Sequence, residues 1–282
     1  MSVKLVAKAP KELARPVALD LLSVPMPDEP FLVCEHCRRR THGAISLEGR
    51  AQLPAHLLAP DDEGEGAFYR WLVGHHVAVC TWRLLADTLD TVRQAPTAIT
   101  VGLDHAAFLM DAYSALLVYA GSCTPEIYGS VIRTRMVESN PSFSGTWARD
   151  FERVRQLLDA LAPAATSALG MAQRNNRIVH MMQAKRLVPS GVSLLQASKG
   201  RTDGETTAAE RDLFDRFFRL ERRRVCEWEF RAQLSRRVSL ILCDLQLRPM
   251  SNTGLAGPVQ QSALMCEEIL KLLADHSHGE TS

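Results

Sequence analysis

The chain has 282 residues, 46% of them hydrophobic, which is ample for the core of one domain. Thirty-three Lys and Arg against 32 Asp and Glu leave a formal charge of +1, so no overall field steers it to nucleic acid or an anionic membrane, and neither is expected as a partner. Seven scattered cysteines suit a reducing compartment better than a disulfide framework; with no signal-peptide core and no apolar run approaching ~18 residues, a cytoplasmic location is expected.

Residues 1–30 are proline-rich and aperiodic, which predicts an extended arm lying on the body. After the loop "APDDEGEGA" at 59–67 the pattern turns helical. Phe68, Leu72, His75, Val79, Trp82, Ala86 and Leu89 make one apolar stripe, and Ala106, Leu109, Met110, Tyr113, Leu116 and Leu117 another. Thr124-Pro125-Glu126 suits a helix start, because the hydroxyl caps, proline fits the first turn and the acid suits the positive end. That helix should run through Ile127, Val131 and Met136 to a stop at Asn140-Pro141. Helices are also predicted over "SGTWARDFERVRQLLDALAP", over 165–187, from Thr206 to about Leu247 with one break, and from Pro258 to His276. The apolar pieces "FLV" and "AITVGL" are too short to be convincing strands. An all-α fold in a single 1–282 domain with an irregular N-terminal arm is expected, and homo-oligomerisation is left open.

Several clusters could carry chemistry. "CEHCRRRTH" offers Cys34, His36, Cys37 and His42, but no second pair completes a tetrahedral zinc site, so a surface segment is the better account. "ERRRVCEWEFRAQLSRR" concentrates arginine, yet the interleaved Glu221, Glu227 and Glu229 favour intrahelical pairing on a solvated face over phosphate binding. In "WLVGHHVAVCTW", adjacent histidines on an apolar helix force at least one imidazole inward, where it needs a partner. The stripe selects His75, with His76 leaning toward Tyr69 and Arg83; His76-x-x-x-Cys80 also has the spacing of a histidine ligand beside a thioether-forming cysteine. "NNRIVHMMQAKR" sets His180 between arginines. A Gly-rich phosphate loop and a G-x-S-x-G elbow are both missing, which leaves nucleotide-binding and hydrolase readings little support.

Taken together, Arg177-His180-Arg186, Trp71-His75 with "TWRLLADTLDTV", and "TPEIYGSVIR" resemble the histidine-ligated, haem-dependent aromatic oxygenases, the superfamily of tryptophan 2,3-dioxygenase. The resemblance implies the helical haem-binding fold of that group, haem b as cofactor, His180 as proximal iron ligand and His75 as distal acid-base residue. In one register the family's histidine precedes its tryptophan by six, which would select His76 before Trp82 instead. It further implies Arg133 as carboxylate anchor, with Tyr128 five residues before it in the substrate pocket and Arg135 as the alternative anchor. An arginine fork matches a planar carboxylate as lysine cannot. The Gly-Thr-Gly-Gly-Ser loop of the tryptophan dioxygenases is replaced by "VPSGVSLLQASKG", with only Ser190 and Ser193 as substitutes. With "GHHVAVCTWR" and "NPSFSGTWARDFERV", the chain looks most like haem-dependent L-tyrosine hydroxylases of natural-product pathways, over residues 65–195 above all. That implies hydroxylation of free L-tyrosine at ring position 3 to L-DOPA, with hydrogen peroxide or dioxygen as oxidant. Indole oxygenation, or a non-enzymatic helical protein that binds a partner, are the alternatives.

Overall fold

The computed structural model describes residues 19–35, 54–94, 99–162, 166–198, 206–250, 255 and 257–277. The fold is all-α. Asp62 accepts a hydrogen bond from the Glu65 amide and acids occupy the first turn, which starts the long helix α1, Glu63–Gln94. Helix α2, Ile99–Ala120, lies against α1. The Thr124 hydroxyl caps the next segment, which comprises α3 (Pro125–Ile127), a π-helical turn (Tyr128–Arg133) and α4 (Thr134–Ser139), and ends before Pro141 as expected. Helix α5 (Arg149–Leu161) packs on α1; α6 (Ala168–Leu187), capped by Ser167, packs on α2. The short α7 (Leu194–Ala197) and then α8 (Ala208–Phe217) follow, each opened by a capping box, and α9 (Glu227–Leu247) and α10 (Gly257–Ser277) finish the bundle.

Helix α2 is the organising element, with α1, α6 and α10 packed along it. Over Thr100–Ala120 it is long and apolar enough to cross a membrane, which corrects the expectation that no such run exists; three helices packed on it account for its composition. "AITVGL" contributes Ile99–Leu103 to its first turn rather than forming a strand.

The expected helix from Thr206 to Leu247 is broken by a parallel strand pair, β1 (Leu22–Val24) with β2 (Leu220–Arg222), in which Leu22 faces Leu220 and Val24 faces Arg222. The part of the N-terminal arm that is described therefore does lie on the body, and Leu22 and Val24 are buried. Arg219, with φ of 54°, is a left-handed residue that turns the chain from α8 into β2. The corner is clamped where Arg222 forks onto Asp150 (2.6 and 3.0 Å) and Asp215 (2.8 and 3.0 Å), joining β2 to α5 and α8. The solvated arginine face expected here is thus only partly present. Arg231 pairs with Glu227 in that way, but Arg222 and Arg237 are drawn inward to buried partners.

Candidate active site

The adjacent histidines sit where α1 meets α2. A Cβ on Gly74 would stand 2.9 Å from the Ala120 Cβ, so only glycine lets the two helices close at this level. With α2 on one side and the Phe218 corner on the other, α1 is covered nearly all round, and a single apolar stripe no longer decides which ring is inside. His76 is the fully buried one, at 0% exposure, while His75 is partly exposed. This corrects the stripe argument: the face that His76 shares with Tyr69 and Arg83 is buried as well.

The two rings have different partners. Arg237 donates from Nε to His76 Nδ1 at 3.0 Å, which leaves His76 Nε2–H to donate to the Phe218 carbonyl at 2.6 Å. Both His76 nitrogens are used, and the free Cys80 thiol is buried, which raises its pKa. His75 donates Nδ1–H to the Trp71 carbonyl at 2.6 Å, because a carbonyl can only accept. No protein group among the described residues hydrogen-bonds its Nε2, which carries the lone pair. Its ring stacks on Phe218 (centroids 4.2 Å apart, 16° between planes) and leans on Trp71 at 4.5 Å. Burial lowers the His75 pKa to about 4, with the bond to Trp71 opposing, and burial with the Arg237 charge lowers that of His76 to about 3. Both are neutral near pH 7.

Of the expected substrate residues, Tyr128 is joined to His75 through Trp71. Tyr128 meets Trp71 edge-on at 5.6 Å, and burial raises its phenol pKa while the nearby Arg133 charge pulls the other way. Arg133 is half-buried and donates one bond to the Val192 carbonyl at 3.0 Å, which leaves the rest of its fork unengaged. Arg135 is committed elsewhere: it forks onto Glu65 and lies over the Phe68 ring at 4.1 Å. Ser193 caps α7, and among the described residues Ser190 approaches only the Val192 amide, so both serve the loop that reaches Arg133. The indole Nε1–H of Trp71 is buried with no acceptor among the described residues, an unused donor at the edge of the site.

His180 is not part of this cluster. It lies on the outer face of α6, with α2 between α6 and α1, and no hydrogen bond to it is found among the described residues. Exposed Ile178, Met181 and Met182 are its neighbours in sequence. The residue is exposed as a whole, yet its ring lies against enough protein that burial lowers its pKa. An acceptor on one ring nitrogen, which steadies a metal-binding imidazole, is seen among the described residues on His75 and not on His180. His36, Cys37 and His42 lie outside the described residues, and no metal-holding group of His, Cys, Asp and Glu occurs among those described.

Phe218 and Arg237 were beyond sequence reasoning. Phe218 lies 142 residues from His76 and Arg237 lies 161, and neither stands in a local pattern that announces a contact with α1.

Residues 38–178, half of the chain, match the family model described as SfmD 3-methyl-L-tyrosine peroxygenase. The chain belongs to this peroxygenase family. The matched span holds His75, His76, Tyr128 and Arg133 and ends just before His180. No curated protein matches the chain. Membership makes it an oxidoreductase of a family whose named substrate is a ring-methylated tyrosine.

The residues present suit haem in their chemistry. His75 is an imidazole kept neutral by burial, with Nε2 free of protein hydrogen bonds among the described residues and the unused Trp71 donor beside it, whereas the exposed His180 offers an imidazole that does not face this cluster.

Proposed function

We propose that this peroxygenase is haem-dependent and hydroxylates the ring of a free tyrosine-type amino acid beside its phenol, with L-tyrosine to L-DOPA as the specific reaction. The observation that carries it is His75: a neutral imidazole with Nδ1–H committed to Trp71 and Nε2 open, joined through the Trp71 ring to Tyr128.

His180 is the ligand that the resemblance implies for the haem, and the bound group would supply activation of the peroxide O–O bond. The chain's own residues do the rest. His75 Nε2 can take a proton from hydrogen peroxide and return it to the departing oxygen as water. Nδ1 stays tied to Trp71 throughout, which keeps the ring in the tautomer that accepts at Nε2. Arg133 offers its fork to the substrate carboxylate and so aims the ring, while the Tyr128 phenol, kept protonated by burial, can bond the substrate. The phenol activates its own ortho position, and the balance is one arene C–H and one peroxide giving one phenol and one water.

The family's named substrate favours 3-methyl-L-tyrosine as a second reading, hydroxylated at its remaining ortho carbon. One assay separates the two. Haem-loaded protein is given peroxide with L-tyrosine, 3-methyl-L-tyrosine or L-tryptophan, and products are identified by mass. L-DOPA formed at a higher kcat/KM than the methylated catechol supports the first reading, the reverse order supports the second, and oxidation of tryptophan alone would sink both. The protein should show a Soret band that His180→Ala removes while helical circular dichroism is kept; full haem loading in that variant would take the ligand role from His180.

A further inference from the structure

Tyr128 and Arg133 are five residues apart, and in an α-helix residue i+5 is turned about 140° from residue i. Arg133 would then leave the face of Tyr128. The segment Tyr128–Arg133 is a π-helical turn instead, and its i→i+5 closure brings the fifth residue back over the first. The Thr134 hydroxyl marks the same widened register by donating to the Gly129 carbonyl, five residues back, at 3.1 Å. The result is visible in the packing. Ile132 and Tyr128 are buried, Arg133 is half-buried and close enough for its charge to act on the Tyr128 phenol, and Gly129 and Ser130 bulge into solvent. A Cβ on Gly129 would meet nothing within 4 Å, so the bulge is not packed against other parts of the fold. Arg135 meanwhile is held by Glu65 and Phe68.

We propose that the π turn at 128–133 is a specificity device: by accommodating one extra residue it seats Arg133 beside Tyr128, and the pair selects substrates that carry a free carboxylate. This rests on Arg133 being the carboxylate anchor. In the α register the same sequence would present Ile132 alone to the site and turn Arg133 toward solvent. The turn, rather than the composition of the segment, decides that Arg133 and not Arg135 meets the substrate.

Deleting Ser130 tests this, because it shortens the spacing from five to four, and residues four apart share a face of an α-helix. The measured quantity is the ratio of kcat/KM for L-tyrosine over tyramine, which lacks the carboxylate, in the haem-loaded protein. The deletion should leave that ratio within about threefold of the parent and the melting temperature equal or higher, since an irregular turn becomes a regular one. Arg133→Gln should lower the ratio at least about tenfold in both backgrounds, the least expected for a charge-assisted fork. If the deleted chain is folded but loses the ratio while Arg133 is intact, the proposal is overturned although the anchor stands. Should Arg133→Gln leave the parent's ratio unchanged, the anchor itself is wrong. If the deletion does not fold, a crystal structure of the holo-protein with 3-methyl-L-tyrosine decides: a carboxylate on Arg133 within a π turn supports the proposal, and an α-helical 128–133 refutes it.

Discussion

His75 and His76 are neighbours on one helix, equally flanked by apolar residues, and burial makes both of them neutral, yet they are bonded in opposite ways. His76 has an arginine on one nitrogen and a carbonyl on the other, so both are engaged. His75 has one nitrogen committed and one open. A buried imidazole becomes a reagent through the partner it lacks, and a neighbouring one becomes a scaffold through the partners it has. The two are also linked, because the Phe218 residue whose carbonyl His76 binds is the residue whose ring lies on His75.

The contrast can be broken at either ring. His75→Ala should retain haem and fold and lose about 10²–10⁴ in kcat, the usual worth of an acid-base group; full activity would move that role elsewhere. His76→Phe keeps the volume but strands the buried Arg237 donor and the Phe218 carbonyl, so thermal unfolding should report a loss of about 1–3 kcal/mol. With Phe218 less well held, kcat should fall about tenfold, less than for His75→Ala. A stable His76→Phe protein with the larger rate loss would exchange the two roles.

Changing pH sharpens the same comparison. Because His75 is lowered to about 4, the acid limb of the kcat profile should have its midpoint near 4, with a level rate from about pH 6 to 8; a midpoint near 6.5, the ordinary histidine value, would mean an uncovered ring. Stability has a defined sign as well. Below about 6.5 the unfolded chain takes up protons that the two buried rings refuse until about 4 and about 3, so the melting temperature should fall as pH drops through that window. His76→Phe, with one such ring left, should show a shallower fall. The smallest effect is expected at Arg135, whose pairing with Glu65 is partly exposed: Arg135→Gln should cost at most about 1 kcal/mol and leave the KM for tyrosine unchanged.

Helix positions and their caps were legible in the sequence because they are local. Thr124-Pro125-Glu126, the stop at Asn140 and the all-α class follow from spacing and end chemistry within a few residues. The pairing of Trp71 with His75 was legible for the same reason, and the two rings lie 4.5 Å apart. What local pattern could not show was the corner at 218–222, where β1 and β2 meet across about 200 residues and reverse the expected order of burial of the two histidines. The π turn escaped too, since a helical period reads smoothly through one extra residue when the bulge consists of an exposed Gly129 and Ser130.

The parallel pairing of Leu22–Val24 with Leu220–Arg222 has a consequence for how the protein is made. A nascent chain that has emerged as far as α6 already holds His75, Tyr128 and Arg133, but the ring that stacks on His75 and the guanidinium that grips His76 have yet to be synthesised. Contacts of such long sequence separation close late, after local helices have formed. The N-terminal strand must wait unpaired through most of translation, with its apolar Leu22 and Val24 exposed to chaperones or to other chains. Both histidines should therefore acquire their final protonation behaviour in the last steps of folding, and slow or interrupted synthesis should yield a helical but catalytically silent intermediate.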